Sequence, residues 1–417
     1  MSKFIINGGK KLSGEIRISG SKNAVLPLIA ATLLTDEECV LTNVPEIKDV
    51  ETMVEILQDL GVMANPSDHT LVIRAEKITK TALNPDLVKK LRGSVLIMGA
   101  LLARMKQVEL AFPGGDSIGA RPLDTHIAAL KDLGAQVEQT DERIQLSAAQ
   151  LTGKKIILEE SSVTATENAI LAASLANGQT IIKLAAMEPH VQQLCEFLNL
   201  MGAKISGIGT TTITIEGVKK LNGAKIEVIP DSEEAASIIT LAAATKSELK
   251  VTHLNPESLD DYLLKLKKMN VNFEVGENFI KIFPPDGDYI GTKIQCGLYP
   301  KLNSDLVPPM AVLATQAQGE TIIYEWLYEN RLGYVAELTK MGAKAEILDP
   351  HRVKIMGPTK LTGAKITSYD LRMGITLVIA ALVASGTSEI DGIEHVDRGY
   401  ENLEGRLASV GADIKRV

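Results

Sequence analysis

Three cationic side chains stand where the hydrophobic pattern predicts that a short strand ends and a helix begins. They are Lys22, Arg92 and Arg372. The free N–H groups at a helix N-terminus favour negative charge, so added cations there predict an anion site. Taken singly, each junction is more simply an ordinary capped helix start with a solvated cation. Three of them in an acidic chain favour a bound anion.

A loop rich in glycine and proline, residues 112–126, carries the next group of reactive side chains. Asp116 at its tip and Arg121 at its base pair an ionisable acid with an anion-binding group. Long loops of this kind often close over a site, although a solvent-exposed turn has a similar composition. Arg398 lies in a third polar segment, Asp397 to Glu401, where a surface ion pair is the simpler interpretation of that segment alone.

Six copies of a helix-stop phrase divide the chain into units of about 70 residues, and the phrases lie 68 to 73 positions apart. Their central residues are Gly61, Gly134, Gly202, Asn270, Gly342 and Gly411. Gly and Asn are the residues that best adopt the left-handed conformation that closes a helix. The first unit predicts strand 15–19, helix 24–34, strand 39–42, helix 50–60 and a strand pair within 62–74. The sequence therefore predicts six βαβαββ repeats of α/β class.

Length and composition limit the remaining possibilities. A chain of 417 residues suits two domains of three repeats each, with a boundary near residues 222–230. The net charge of −8 and only 4% aromatic residues disfavour nucleic-acid binding. Three scattered Cys and six scattered His have no metal-ligand spacing, so we expect neither zinc nor disulfides. Short apolar runs and a charged N-terminus predict a cytoplasmic protein with no membrane partner.

These motifs together resemble the enolpyruvyl transferases, and most closely the members that use UDP-N-acetylglucosamine. The resemblance extends over the whole chain and is carried by five segments: Gly20 to Ala24, Pro113 to His126, Ala165 to Asn168, Glu329 to Arg331, and Asp397 to Glu401. It implies a two-domain inside-out α/β barrel, in agreement with the repeat count. In that family the first strand completes the C-terminal domain, which places the domains at 22–229 and at 1–21 plus 230–417.

The resemblance implies transfer of the enolpyruvyl group from phosphoenolpyruvate to the 3-hydroxyl of UDP-N-acetylglucosamine, with release of phosphate. This reaction opens bacterial peptidoglycan precursor synthesis and needs no metal, no other cofactor and no obligate protein partner. The residues that match the phosphoenolpyruvate site are Lys22, Arg92, Arg121, Arg331, Arg372 and Arg398. Those that match the UDP-sugar site are Asn23, Arg121, Pro122, Leu123, Asp124, Ser162, Val163, Thr164 and Asp305. The implied catalytic residues are Asp116, Asp305, Lys22 and Arg398.

Several positions depart from the usual family sequence. Asp116 occupies a loop position where most members have Cys, which predicts insensitivity to fosfomycin, an epoxide that alkylates the loop thiol. Thr164 stands where Gly is usual, beside the diphosphate. The segments 231–236, 302–307 and 373–376 also differ, and the second replaces the usual FPTDxQ. These departures surround the acceptor, so they bear on its identity more than on the chemistry.

Two alternative functions therefore stay open. One is an enolpyruvyl transferase that acts on another nucleotide or nucleotide sugar, for which the altered segments are the argument. The other is a non-catalytic paralogue that binds a UDP-sugar and regulates a partner. The joint presence of Lys22, Arg121, Asp305 and Arg398 argues against the second, because a binding protein would not need a donor site.

Overall fold

The computed structural model describes residues 2–116 and 118–417. The chain forms two compact units. The N-terminal unit consists of Gly20–Gly115 and Arg121–Ile229, and the C-terminal unit consists of Met1–Ser19, Asp116–Ala120 and Pro230–Val417. The predicted domain limits assigned residues 116–120 to the first domain, whereas in the structure they group with the C-terminal unit. The acidic tip of the loop thus packs with residues far from it in sequence.

The chain alternates strands and helices as far as the end of the third repeat. The strands in this part are β1 (Phe4–Asn7), β2 (Ser13–Arg17), β3 (Glu38–Thr42), β4 (Met63–Ser67), β5 (Thr70–Arg74), β6 (Gln107–Ala111), β7 (Gln136–Gln139), β8 (Arg143–Ser147), β9 (Lys155–Ile157), β10 (Gln179–Lys183), β11 (Lys204–Ser206) and β12 (Thr212–Glu216). The helices are α1 (Lys22–Ala31), α2 (Lys48–Asp59), α3 (Pro85–Lys90), α4 (Ile97–Met105), α5 (Asp124–Asp132), α6 (Val163–Ser174) and α7 (Pro189–Leu200).

The same alternation continues through the last three repeats. Their strands are β13 (Lys225–Glu227), β14 (Glu248–Thr252), β15 (Phe273–Val275), β16 (Phe279–Ile282), β17 (Lys293–Gln295), β18 (Gly319–Tyr324), β19 (Lys344–Asp349), β20 (Arg352–Gly357), β21 (Lys365–Thr367), β22 (Thr387–Asp391) and β23 (Asp413–Arg416). Their helices are α8 (Ser232–Ala244), α9 (Asp260–Lys268), α10 (Val307–Thr315), α11 (Tyr334–Lys340), α12 (Leu371–Val383) and α13 (Leu403–Ser409).

The predicted repeat architecture is confirmed, with two local exceptions. All six helix-stop residues have a positive φ, from +64° at Asn270 to +103° at Gly134. Most sheets follow the order β9-β10-β12-β11, in which the first pair is parallel and the others antiparallel. In the second repeat the first strand is reduced to an isolated bridge between Ala82 and Glu109. In the sixth, the last strand is supplied by β1, which pairs with both β22 and β23.

The first and fourth repeats exchange their first strands. In the C-terminal unit β2 pairs in parallel with β14, so that Ile16 lies opposite Val251. In the N-terminal unit β13 pairs in parallel with β3, so that Ile226 lies opposite Leu41. The strand register here therefore depends on partners more than 180 residues away in sequence.

Three central helices of the C-terminal unit are buried on nearly all sides. In the C-terminal unit α8, α10 and α12 contact one another and carry almost no exposed residue. Most of their side chains are apolar, and interior polar ones such as Ser237 and Thr240 are buried and hydrogen-bonded, as expected for helices enclosed by other elements. The charged side chains of these helices lie in their first turns. Within the described residues, no helix is long and apolar enough to cross a membrane.

Candidate functional site

Asp305 is held by two buried arginines of the C-terminal unit. It lies in the 3-10 turn Ser304–Leu306, directly before α10. Its Oδ1 accepts a hydrogen bond from Nη2 of Arg331 at 2.6 Å, and its Oδ2 accepts one from Nε of Arg372 at 2.7 Å. The side chain of Asp305 is 24% exposed, against 3% and 4% for the two arginines. The carboxylate is thus fixed by charge-assisted bonds and is still partly accessible to a ligand.

Both arginines remain charged although they are buried. Burial alone would lower the pKa of Arg331, but Asp305 and neighbouring acids more than offset it, so the pKa is raised. The same balance holds the pKa of Arg372 well above its usual value. Nη1 of Arg372 also donates to the hydroxyl of Tyr400 at 3.1 Å, and burial raises the pKa of that phenol to about 12. Within the described residues, Nε of Arg331 and Nη2 of Arg372 have no acceptor, which an anionic ligand could supply.

The tip of the glycine-rich loop is bonded to the C-terminal unit. Oδ1 of Asp116 accepts from Nη1 of Arg398 at 2.5 Å, which brings together two predicted catalytic residues from separate segments. The backbone N–H of Ala120 donates to Oε1 of Glu329 at 2.8 Å. Gly119 has a φ of +143°, and a Cβ placed on it would lie 2.6 Å from Oε2 of Glu329. Only glycine therefore permits this close docking of the loop.

In the N-terminal unit, Lys22 is the first residue of α1 and Asn23 the second. The hydroxyl of Ser21 caps this helix by accepting from the N–H of Ala24 at 3.3 Å. Nζ of Lys22 lies 3.8 Å from Oδ2 of Asp49, and both side chains are largely buried. Asp49 was not identified from the sequence, because an acidic residue in the first turn of an amphipathic helix is ordinary. The structure makes it the carboxylate partner of the predicted donor lysine.

Arg92 and Arg121, both predicted for the donor site, are also in contact in the N-terminal unit. Nη2 of Arg92 donates to the backbone carbonyl oxygen of Arg121. Gly115, with a φ of +113°, lies against both residues. A Cβ placed there would be 2.9 Å from Cβ of Arg92 and 3.5 Å from Nη2 of Arg121. The base of the loop therefore folds around Arg92, and glycine is required for that approach.

The two predicted UDP-sugar segments are joined by a histidine that sequence analysis did not single out as a site residue. Asp124 begins α5, after Pro122 and Leu123 in sequence. Ser162 caps α6, and Val163 and Thr164 are its first two residues. Nε2 of His126 lies 2.8 Å from the hydroxyl of Thr164, so a single hydrogen bond links these segments. This bond gives a structural reason for a threonine at position 164, where the family usually has Gly.

His126 is a neutral side chain by virtue of its surroundings. It is 2% exposed, and its Nδ1 has no hydrogen-bond partner within the described residues. Burial, with a smaller effect of the charge on Arg92, lowers its pKa to about 3. The ring can therefore position Thr164 without adding charge to the site. Its position two residues after Asp124 was the signal available in the sequence.

The predicted site residues thus form contacts within each unit. Asp116, Asp305, Arg331, Arg372 and Arg398 belong to the C-terminal unit, and the others belong to the N-terminal unit. Among the described side chains, no group of three His, Cys, Asp or Glu could hold a metal ion. The three cysteines are buried and unpaired.

Comparison with known proteins gives matches over the full chain. The family model of EPSP synthase (3-phosphoshikimate 1-carboxyvinyltransferase) matches residues 6–407. UDP-N-acetylglucosamine 1-carboxyvinyltransferase 2 of Caldanaerobacter subterraneus subsp. tengcongensis is 42% identical, over 100% of both chains. UDP-N-acetylglucosamine 1-carboxyvinyltransferase of Treponema denticola is 43% identical, over 100% of this chain and 99% of the relative. That of Bradyrhizobium diazoefficiens is also 43% identical, over 100% and 98%.

Solved structures show the same fold. The enolpyruvyl transferase NikO from Streptomyces tendae superposes with a TM-score of 0.91 at 25% identity, over 100% of this chain and 99% of NikO. EPSP synthase from Acinetobacter baumannii gives a TM-score of 0.78 at 20% identity, over 100% of both chains. The second likeness is one of fold alone.

The buried His126 predicts a pH dependence of stability. Its pKa is about 3 when folded and near 6.5 when unfolded, so the unfolded chain takes up a proton as the pH falls below 6.5. At pH 4.5 this should cost the native state about 2–3 kcal/mol. His126→Gln places an amide nitrogen near Nε2 and lacks that proton uptake, so it should lose less stability between pH 7 and 4.5 in urea unfolding. The matched control is His69→Gln at an exposed histidine, and equal pH slopes for wild type and His126→Gln would refute the assignment.

Proposed function

Because the chain belongs to the EPSP synthase family of enolpyruvyl transferases, we propose that it transfers the enolpyruvyl group of phosphoenolpyruvate to the 3-hydroxyl of UDP-N-acetylglucosamine and releases phosphate. The observation that carries this is identity of 42–43%, over nearly the whole of both chains, to relatives named for that reaction. The reaction is the first committed step of peptidoglycan precursor synthesis. We place it in the bacterial cytoplasm, where phosphoenolpyruvate is made.

The donor requires several cations, because phosphoenolpyruvate carries both a phosphate and a carboxylate. Lys22, Arg92 and Arg121 supply them from the N-terminal unit. In the C-terminal unit Arg398 is the donor cation that contacts the acid of the loop. Arg331 and Arg372 fix Asp305 and offer their remaining N–H groups. Lys22, Arg92 and Arg372 lie at helix starts, and Arg331 and Arg398 are bonded to carboxylates. These five groups therefore need little reorganisation when the anion binds.

The reaction is an addition followed by an elimination. The 3-hydroxyl oxygen bonds to C2 of phosphoenolpyruvate while C3 takes up a proton. Loss of phosphate from C2 and of a proton from C3 then restores the enol ether. Asp305 orients the hydroxyl and accepts its proton, since the two arginines hold its carboxylate in a fixed position and its side chain is partly exposed. Asp116 is the acid that delivers the proton to C3.

Asp116 has to be protonated for this role, and its contact with Arg398 opposes that. A guanidinium beside a carboxyl group favours the carboxylate, whereas a neighbouring phosphate dianion favours the protonated acid. When the donor phosphate takes the hydrogen bonds of Arg398, the balance at Asp116 reverses. Arg398 therefore has two roles in this mechanism. It binds the phosphate, and it controls whether Asp116 carries a proton.

The function is tested by incubating the protein with phosphoenolpyruvate and a panel of nucleotides and nucleotide sugars. Phosphate release and mass spectrometry of the product are measured together. UDP-N-acetylglucosamine that gains one enolpyruvyl group supports the proposal. A product formed only with another acceptor would favour the alternative suggested by the altered segments 231–236 and 302–307. UDP-sugar binding without release of phosphate from phosphoenolpyruvate, whichever acceptor is present, would indicate a regulatory paralogue.

Asp305→Asn should lower kcat by about 10²–10⁴, because the amide cannot accept the hydroxyl proton. Binding of the UDP-sugar should stay within about tenfold, since the contacts of the N-terminal unit are unchanged. Binding can be followed by the fluorescence of Trp326, the single tryptophan, which is partly exposed and close to Arg331 in sequence. Near-normal kcat would remove Asp305 from the mechanism. A thermal melt accompanies the assay, because the variant also weakens the hold on two buried arginines.

Fosfomycin should not inactivate the wild-type protein, because a carboxylate is a much weaker nucleophile than a thiolate towards the epoxide carbon. Asp116→Cys should keep measurable turnover and acquire time-dependent inactivation, since a thiol can both donate a proton and be alkylated. Asp116→Asn should lose activity, because it has the shape of Asp without an acidic proton. Wild type inactivated as fast as the Cys variant, or a fully active Asn variant, would contradict the role given to Asp116.

A further inference from the structure

Asn303 directly precedes the turn that carries Asp305, and both ends of its side-chain amide are bonded. Its Oδ1 accepts the backbone N–H of Asp305 at 2.9 Å and so caps the 3-10 turn. Its Nδ2 donates to Oε1 of Glu233 at 3.0 Å. Rotation of the amide by 180° would face a donor with a donor and a carboxylate with a carbonyl. The orientation of Asn303 is therefore fixed by its two partners.

Glu233 is a buried carboxylate with a defined position. It lies in the first turn of α8 and is 4% exposed. Its Oε2 accepts from the hydroxyl of Ser232 at 3.2 Å, so both of its oxygens are engaged. Its charge also acts on Arg372, the residue that holds Oδ2 of Asp305. Glu233 thus influences Asp305 through the Asn303 hydrogen bond and through the arginine.

The next residue of the turn is anchored in a similar way. The hydroxyl of Ser304 donates to Oε2 of Glu325 at 2.7 Å, and Glu325 is fully buried. Oε1 of Glu325 also accepts from the backbone N–H of Leu327 at 3.0 Å. Two consecutive residues before Asp305 therefore each donate to a buried carboxylate, and those carboxylates belong to different repeats. The turn is therefore held at two points. Of the two bonds, only that of Asn303 joins two altered segments, 302–307 and 231–236.

We propose that Asn303 and Glu233 are a positioning pair that sets Asp305 against the acceptor hydroxyl; this inference rests on the proposed function. The two residues lie in the altered segments 302–307 and 231–236, so these departures meet in one hydrogen bond. The two departures compensate for each other, because the hydrogen bond between Asn303 and Glu233 keeps the catalytic carboxylate in place. The altered sequence is therefore compatible with the same acceptor hydroxyl, and the pair governs kcat more than substrate binding.

The test is steady-state kinetics on four variants. Asn303→Ser keeps an oxygen that can cap the turn but is too short to reach Glu233, so kcat should fall about 10- to 100-fold, as expected for a catalytic group misplaced by about 1 Å. The KM for phosphoenolpyruvate should change less than about threefold. Glu233→Ala should have the same effect on kcat as Asn303→Ser. Glu233→Gln keeps an acceptor for Nδ2 of Asn303, so its kcat should stay near the wild-type value. The double variant should be no slower than either single one, because both remove the same bond.

Asn255→Ser is the matched control. Asn255 caps the 3-10 turn Pro256–Leu259 with the same geometry, since its Oδ1 accepts from the N–H of Glu257 at 3.1 Å. It lies in another repeat, so kcat should be unchanged. If Asn303→Ser is poorly soluble, Asn303→Asp retains the cap and replaces the bond to Glu233 by charge repulsion, with the same expected loss of kcat.

Three results would overturn the inference: wild-type kcat in Asn303→Ser, a Glu233→Gln variant as slow as Glu233→Ala, or losses that multiply in the double variant. A wild-type protein that releases no phosphate from phosphoenolpyruvate with any acceptor would instead refute the proposed function. The pair is then judged by the same variants in urea unfolding. If the shifts of the urea midpoint in the two single variants add up in the double variant, the pair is refuted. Non-additive shifts would support it.

Discussion

A carboxylate clamped between two buried guanidinium groups organises the C-terminal unit. Asp305 and Arg331 lie in the 3-10 turns that precede α10 and α11, and Arg372 is the second residue of α12, so one ion cluster fixes the relative positions of three helix starts. Removing the carboxylate would take away the counter-charge to which both buried arginines are hydrogen-bonded, and breaking such pairs typically costs about 3–5 kcal/mol. The residue proposed to accept the acceptor proton is thus also a structural residue. Activity and stability cannot be varied independently at this position.

The repeat architecture explains why the reactive side chains occur at helix starts. The central helices are largely apolar, with interior polar groups such as Ser237 and Thr240 hydrogen-bonded to tyrosine hydroxyls. Their charged residues lie mainly near the helix ends, where the backbone groups need partners. Lys22, Ser162 and Arg372 all occupy or precede a first turn of this kind. Because the units repeat, the same local position recurs, and small changes of side chain give each copy a different role.

Local signals in the sequence were sufficient for the elements, and distant contacts were not. The helix-stop residues, such as Gly61 and Asn270, predicted the repeats because a left-handed residue depends only on its own backbone. The pairing of β1 with β22 and β23 and the exchange of β2 and β13 involve partners far along the chain, and no local pattern encodes them. For the same reason the sequence indicated Asp116 and Arg398 separately, while their contact, across 282 residues, appears only in the structure.

The charge distribution explains how a protein with a net charge of −8 can form the proposed anion site. Carboxylates lie beside four of the six predicted donor cations: Asp49 beside Lys22, Asp116 beside Arg398, and Asp305 between Arg331 and Arg372. An arriving phosphate or carboxylate then shares or replaces an existing acceptor, so the cations need little rearrangement. The contacts of Asp49 and of the Asn303–Glu233 pair were the hardest to foresee. They belong to this set of carboxylates, and their hydrogen-bond partners, that surround the predicted site residues. Such residues carry no motif of their own, because their role is defined by the charged or catalytic group that they face.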